Sequence, residues 1–208
     1  MRMTLVRPLL SLLVVFLFLP SCAATKLNAV WKDPEYQERP QKIMVIGMLP
    51  AEVSKRFFED EMVRNFQKHG TDAVISYSLL PSQPAPDRDA VMNVMREQRA
   101  DSVLIARLMD KKTVQSYVPS SPAPRYGGSG YYGSSWGGYY GYAGGGVRTD
   151  EFAVIQTNLY DLKTEKLVWT ASSDTWLAEN PKSLIANFIE VIMKDLVNAK
   201  IVGPGKGK

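Results

Sequence analysis

Apolar residues run almost unbroken from Leu9 to Leu19, interrupted only by Ser11. The run is 11 residues long, whereas a helix needs about 20 to span the hydrocarbon of a bilayer. Arg2 and Arg7 precede it and Leu19-Pro20-Ser21-Cys22 follows it. Positive, apolar and small-residue blocks in that order describe a signal peptide over residues 1–21 rather than a permanent span. Residues 22–41 are more polar, carry Pro34 and Pro40, and read as a tether. The alternation of Leu27, Ala29 and Trp31 offers at most a short edge strand there.

From Lys42 the pattern changes. Ile43-Met44-Val45-Ile46-Gly47-Met48 is a short apolar run of the kind found in strands covered on both faces. Val53, Phe57, Met62 and Phe66 then mark one side of a helix that Gly70 ends from the C′ position. Ala73 to Tyr77 predicts a second strand, and Pro81, Pro84 and Pro86 a loop. Asp87 is placed to cap a second helix, with Val91, Val94, Met95 and Gln98 along one stripe. Val103 to Ala106 opens a third strand that continues toward Val118. Glu151–Tyr160 and Lys166–Trp176 predict an antiparallel hairpin, its turn closed by Asp161 and Thr164. Asn180-Pro181 is a cap-plus-N1 pair opening a last helix whose core side carries Leu184, Ile185, Phe188, Ile192, Leu196 and Ala199.

The sum is one α/β domain over residues 42–200, in the order βαβαβ-ββ-α. Its sheet is mixed, with about five strands and helices packed on it. An inserted loop occupies residues 119–149, and residues 201–208 form a disordered tail. Roughly 130 residues remain for a core, enough to bury about two-thirds of their unfolded surface.

Composition narrows the function classes. Hydrophobic residues make up 45% of the 208 and charged ones 22%, a globular balance. The net charge of +4 falls to +2 once Arg2 and Arg7 leave with the signal, since residues 1–21 hold no acid. That gives no footing for nucleic acid, where several phosphates must be neutralised together. A single cysteine excludes an internal disulfide, and a single histidine, His69, excludes a histidine-rich metal site. His69 falls at a helix C-terminus, where the dipole favours it without any catalytic role.

The amino-terminal pattern resembles the bacterial lipoprotein signal. Leu19 stands three residues before the cysteine and Ser21 directly before it, with Pro20 between them. The resemblance implies that Cys22 takes a diacylglycerol on sulfur and an acyl group on its new amino terminus. Ala23 in place of an aspartate implies sorting to the outer membrane, with the domain facing the periplasm. The lipid would be palmitate-like, and each buried CH₂ contributes ~0.8 kcal/mol to anchoring.

Further along, Ile43 to Gly47, Arg56-Phe57-Phe58-Glu59-Asp60, Gly70 and Ser76-Tyr77 stand in a familiar order. Ala100-Asp101, Leu159-Tyr160-Asp161 and Leu167-Val168-Trp169 continue it. Together they resemble an uncharacterised family of bacterial outer-membrane lipoproteins, similar in fold to the amino-terminal domain of the periplasmic Tol-system propeller protein. Similarity to the periplasmic domain of the curli-secretion lipoprotein is fainter. Glu165 stands where the turn of such hairpins often has glycine. The resemblance implies an envelope location and an α/β fold, and it brings no catalytic residues and no cofactor.

Two catalytic motifs match by letter and fail by context. Gly128-Ser129-Gly130-Tyr131-Tyr132-Gly133 spells G-x-G-x-x-G, yet prolines precede it and more glycine follows, without the strand and helix that phosphate binding needs. Gly133-Ser134-Ser135-Trp136-Gly137 spells the nucleophile elbow, but no histidine follows it to take the serine proton. Consecutive Glu59, Asp60 and Glu61 point in different directions on a helix. They suit a solvated face, or one inward cap such as Glu59, better than a metal cluster.

The remaining feature is Tyr126–Gly146, which holds ten of the 15 glycines and six of the ten tyrosines, with no charge and no proline. It lacks the residues to pack a core of its own. One reading is a flexible connector. The other is an adhesive loop in which Tyr126, Tyr131, Tyr132, Trp136, Tyr139, Tyr140 and Tyr142 present apolar faces with polar tips to a protein or glycan. The expectation is a non-enzymatic, lipid-anchored envelope protein that binds or scaffolds another envelope component. The alternatives are a subunit of an envelope assembly or secretion machine and a glycan-active enzyme using Glu59 or Asp161.

Overall fold

The structure, a computed structural model, describes residues 24–81, 86–118, 146–177 and 180–205. Its strands are β1 (Thr25–Lys32), β2 (Lys42–Met48), β3 (Asp72–Ile75), β4 (Ser102–Val118), β5 (Gly146–Asp161) and β6 (Leu167–Trp176). Its helices are α1 (Glu52–Lys68), α2 (Arg88–Gln98) and α3 (Pro181–Asn198). The strands form one sheet in the order β1-β6-β5-β4-β2-β3. β2 runs parallel to β3 and β4, and the remaining pairs are antiparallel. The α/β class and mixed sheet are as expected from the sequence, with six strands in place of about five.

The continuous apolar run of β2 has two destinations. Ile43 and Val45 enter the larger core with α1 and α3, while Met44 and Ile46 enter a smaller one under α2. Both helix caps read from the sequence form. Asp87 accepts from the N–H groups of Asp89 (3.1 Å) and Ala90 (3.2 Å), and Asn180 from Lys182 N–H at 2.9 Å. Gly70 ends α1 with φ +78°. In the β5–β6 turn Asp161 accepts from Thr164 N–H (2.8 Å) and Oγ1 (2.7 Å). Glu165 adopts φ 56°, the left-handed conformation for which glycine is the usual residue.

Four sequence expectations need correction. The first concerns α1, which is rotated relative to the predicted face: Phe58, Glu59, Met62 and Phe66 are buried, Phe57 is half-buried, and Val53 is 75% exposed. The second is the tether, in which Thr25–Lys32 form strand β1, paired along β6 from Thr25↔Thr175 to Lys32↔Trp169. Third, the tail contributes to the core, because Ile201 and Val202 are fully buried. Fourth, the inserted loop is shorter than 119–149, since β5 already begins at Gly146.

Chain ends and the β1–β2 connection are tied together. Lys32 Nζ donates to Ala199 O (2.9 Å), and Arg39 Nε to Lys200 O (3.3 Å). Asp101 accepts from the N–H groups of Gln41 (2.7 Å) and Lys42 (3.3 Å). Tyr36, half-buried in this connection, has its phenol pushed up to about 12 by burial, with the Asp161 and Asp101 carboxylates adding to the shift.

Candidate interaction site: the β-ribbon

Cys22 and the seven aromatic residues of the Gly/Tyr segment lie outside the described residues, as do both glycine motifs. The described residues show what carries that segment. β4 and β5 pair without a gap from Ser102↔Asp161 to Val118↔Gly146, broken only by a bulge between Leu108 and Asp110. β2 accompanies β4 only as far as Arg107, and β6 accompanies β5 only from Phe152. Residues 113–118 and 146–151 are therefore a two-stranded ribbon beyond the edge of the sheet. At about 3.4 Å per residue it projects roughly 20 Å. Bulges bend and twist strands, and this one lies where β4 leaves the cover of β2.

The ribbon is exposed: Tyr117 by 71%, Val147 by 65% and Val114 by 41%. A lone hairpin is only marginally stable in water, so its base is where stabilising contacts are expected. Arg148 lies over the Trp176 ring at 5.0 Å and Lys112 over Phe152 at 5.7 Å. Trp176 Nε1 donates to Asp150 at 3.1 Å, Arg148 Nε donates to the same carboxylate at 2.9 Å, and Lys112 pairs with Asp174. Burial works to raise the Asp174 carboxyl, but Lys112, Asn28 and Lys26 outweigh it and hold it below the ordinary range. The sequence reading missed this returning arm because Val147-Arg148-Thr149-Asp150 follows directly on glycines. The signal it did leave was the presence of strand-favouring Val147 and Thr149 just ahead of Phe152.

The acidic triplet separates into three roles. Glu59 is fully buried. Its Oε1 accepts from Gly47 N–H (3.0 Å) and Ser76 Oγ (2.9 Å), and its Oε2 from the N–H groups of Ser76 (2.6 Å) and Tyr77 (3.0 Å). Four donors saturate both oxygens and join α1 to the ends of β2 and β3. Gly47 suits this close approach, since a Cβ there would meet Phe58 Cδ1 at 2.9 Å. Asp60 accepts from the Tyr77 hydroxyl at 2.9 Å, which raises that phenol's pKa, while Arg56 lies over the ring at 5.3 Å. Glu61 pairs with Arg64. Asp161 is spent on its turn, and His69 Nδ1 lies 2.8 Å from Asn65 O at the end of α1. Among the described residues no three of His, Cys, Asp and Glu gather as metal ligands.

Two clefts of about 320 Å³ flank the sheet. One lies between α2 and the strands, lined by Met48, Val91, Met95 and Tyr160, with the Arg88–Glu165 pair at its rim. The other opens between the N-terminal ends of α1 and α3.

No protein-family model matches the chain, and no curated protein does. Among solved structures it is similar to the PelC dodecamer from Paraburkholderia phytofirmans, with TM-score 0.47 and 14% identity over 83% of this chain and 96% of that one. It is also similar to the lipoprotein GNA1162 from Neisseria meningitidis, with TM-score 0.42 and 10% identity over 76% of this chain and 99% of that one.

Proposed function

We propose that the chain is a non-enzymatic lipoprotein of the cell envelope. Cys22 anchors it to the outer membrane from the periplasmic side, and it binds another envelope component through the β4–β5 ribbon and its Gly/Tyr segment. The observation that carries this reading is the order Arg2, Arg7, Leu9–Leu19, Leu19-Pro20-Ser21-Cys22. Among the described residues no helix is long and apolar enough to cross a membrane, so a lipid on Cys22 is the anchor the sequence offers. The ribbon supports the binding role, since it carries exposed Tyr117 and Val147 toward a segment rich in tyrosine. Saturation of Glu59 and the use of Asp161 in a turn favour a structural role for both carboxylates over a glycan-cleaving one.

Labelling cells with a palmitate analogue tests the anchor. Wild-type protein takes the label and sediments with membranes, whereas Cys22→Ala loses the label and is released. An unlabelled wild-type protein that still sediments overturns the reading.

A further inference from the structure

Between the N-terminal ends of α1 and α3 the helix-covered face of the sheet is left unfilled. The cleft there holds about 320 Å³, within the ~300–1,000 Å³ of ligand pockets. Its floor is the Phe58–Phe188 pair, with ring centroids 6.0 Å apart. Leu49, Leu108, Leu177 and Ile185 stand half-buried around it. Lys111 is the one charged side chain among the described lining residues. Apolar walls left in contact with water favour an apolar occupant.

The described chain begins at this same corner. Trp176 N–H donates to Ala24 O at 2.8 Å, and the Thr25 and Thr175 hydroxyls are 2.9 Å apart. Thr175 itself lines the cleft. Cys22 is two residues ahead of Ala24, and two extended residues cover at most about 7 Å. A group carried on Cys22 is thereby within reach of the mouth. A concavity of this size between two helix ends takes a single linear chain rather than a folded surface.

We propose that this cleft lodges an acyl chain carried on Cys22 when the protein is away from a bilayer, and releases it when the protein is anchored. The proposal rests on the reading of Cys22 as lipidated. In water the cleft offers the hydrocarbon an apolar refuge, and a bilayer offers equivalent shielding without confinement.

The test uses full-length protein from cells fed a diazirine-bearing palmitate analogue, moved from detergent into buffer and irradiated. The label is expected to cross-link within the chain to peptides carrying Leu108 or Leu184-Ile185, and phosphatidylcholine vesicles added before irradiation abolish those products. Ser54→Trp and Ile185→Trp, which fill the cleft from its rim, keep the label on Cys22 and lose the cross-link. If either variant fails to fold, vesicle competition on the wild type decides alone. Label on Cys22 with cross-links only outside the cleft, or unchanged by vesicles, overturns the proposal and leaves lipidation standing. No label on Cys22 overturns both. Cleft cross-links that persist in Cys22→Ala assign the site to free fatty acid and overturn it as well.

Discussion

Glu59 joins one helix to two strand ends through a single carboxylate, and its neighbours show how little of that a sequence can reveal. Three consecutive acids on a helix must point three ways, so an inward one among them was legible. Which face of α1 turned inward was not, because Val53 and Phe57 continue the apolar pattern as well as Phe58 does. The rotation is settled by packing: Phe58 fits over Gly47 only because that residue has no Cβ, and Glu59 then meets four donors. Hydrogen bonds to a charged group contribute about 1.5–3 kcal/mol each in net terms, and an unsatisfied buried donor costs about 1–3 kcal/mol. Glu59→Gln keeps the shape but, even with its NH₂ group turned toward the Ser76 hydroxyl, sets that group against the Gly47 N–H donor. It is expected to lower the unfolding free energy by about 2–3 kcal/mol in urea titration. In a mucopeptide cleavage assay neither form is expected to turn over substrate, and turnover by the wild type that Glu59→Gln abolishes would make the carboxylate catalytic.

At the scale of elements, legibility followed the strength of local signals. Caps, the C′ glycine and the buried β2 run depend on a few adjacent residues, and they were read correctly. β1 is an edge strand whose Leu27 alone packs against the core, so its pattern stayed faint beside Pro34 and Pro40. Ile201-Val202 is too short to show a period, and its burial depends on the chain folding back beyond α3. The ribbon was hidden because cross-strand pairing, a long-range property, extends it to Gly146. Its stability comes from β4–β5 pairing and from the contacts of Arg148, Asp150 and Trp176, all at or before residue 118 or from residue 146 onward. Deleting residues 119–145 and closing Val118 to Gly146 with Asn-Gly, a favoured hairpin turn, is therefore expected to leave the unfolding free energy undiminished, with a gain of up to about 2 kcal/mol from the shorter loop closure. The same deletion should remove the partners recovered in an envelope pull-down. An unchanged set of partners would take the segment out of the functional argument.

In the whole molecule, helices cover one face of the sheet along most of its width, and α2 covers the other only over β2 and its neighbours. Part of what is left open on β5 and β6 is polar. Gln156, Asn158, Tyr160 and Thr170 form a hydrogen-bonded ladder there, with Thr170 Oγ1 donating to Asn158 at 2.6 Å. Cohesion of the two ends depends on the β1–β2 connection in which Tyr36 sits, and this gives stability a pH signature. The Tyr36 phenol titrates near 12 when folded and near 10 when unfolded. Its contribution is fully present below about pH 10 and is lost as pH rises through 12. Urea midpoints measured from pH 8.5 to 11.5 should fall above pH 10 more steeply for wild type than for Tyr36→Phe. Parallel curves would show that this phenol does not report on folding.

The placement of β1 has a mechanical consequence. Cys22 is separated from Ala24 by at most about 7 Å of chain. Thr25 opens β1 opposite Thr175, at the end of the sheet from which the ribbon projects. Whatever grips residue 22 thus grips the domain by that end, on a short lead. The ribbon then behaves as a pointer on that mount, its heading within the domain set by the sheet.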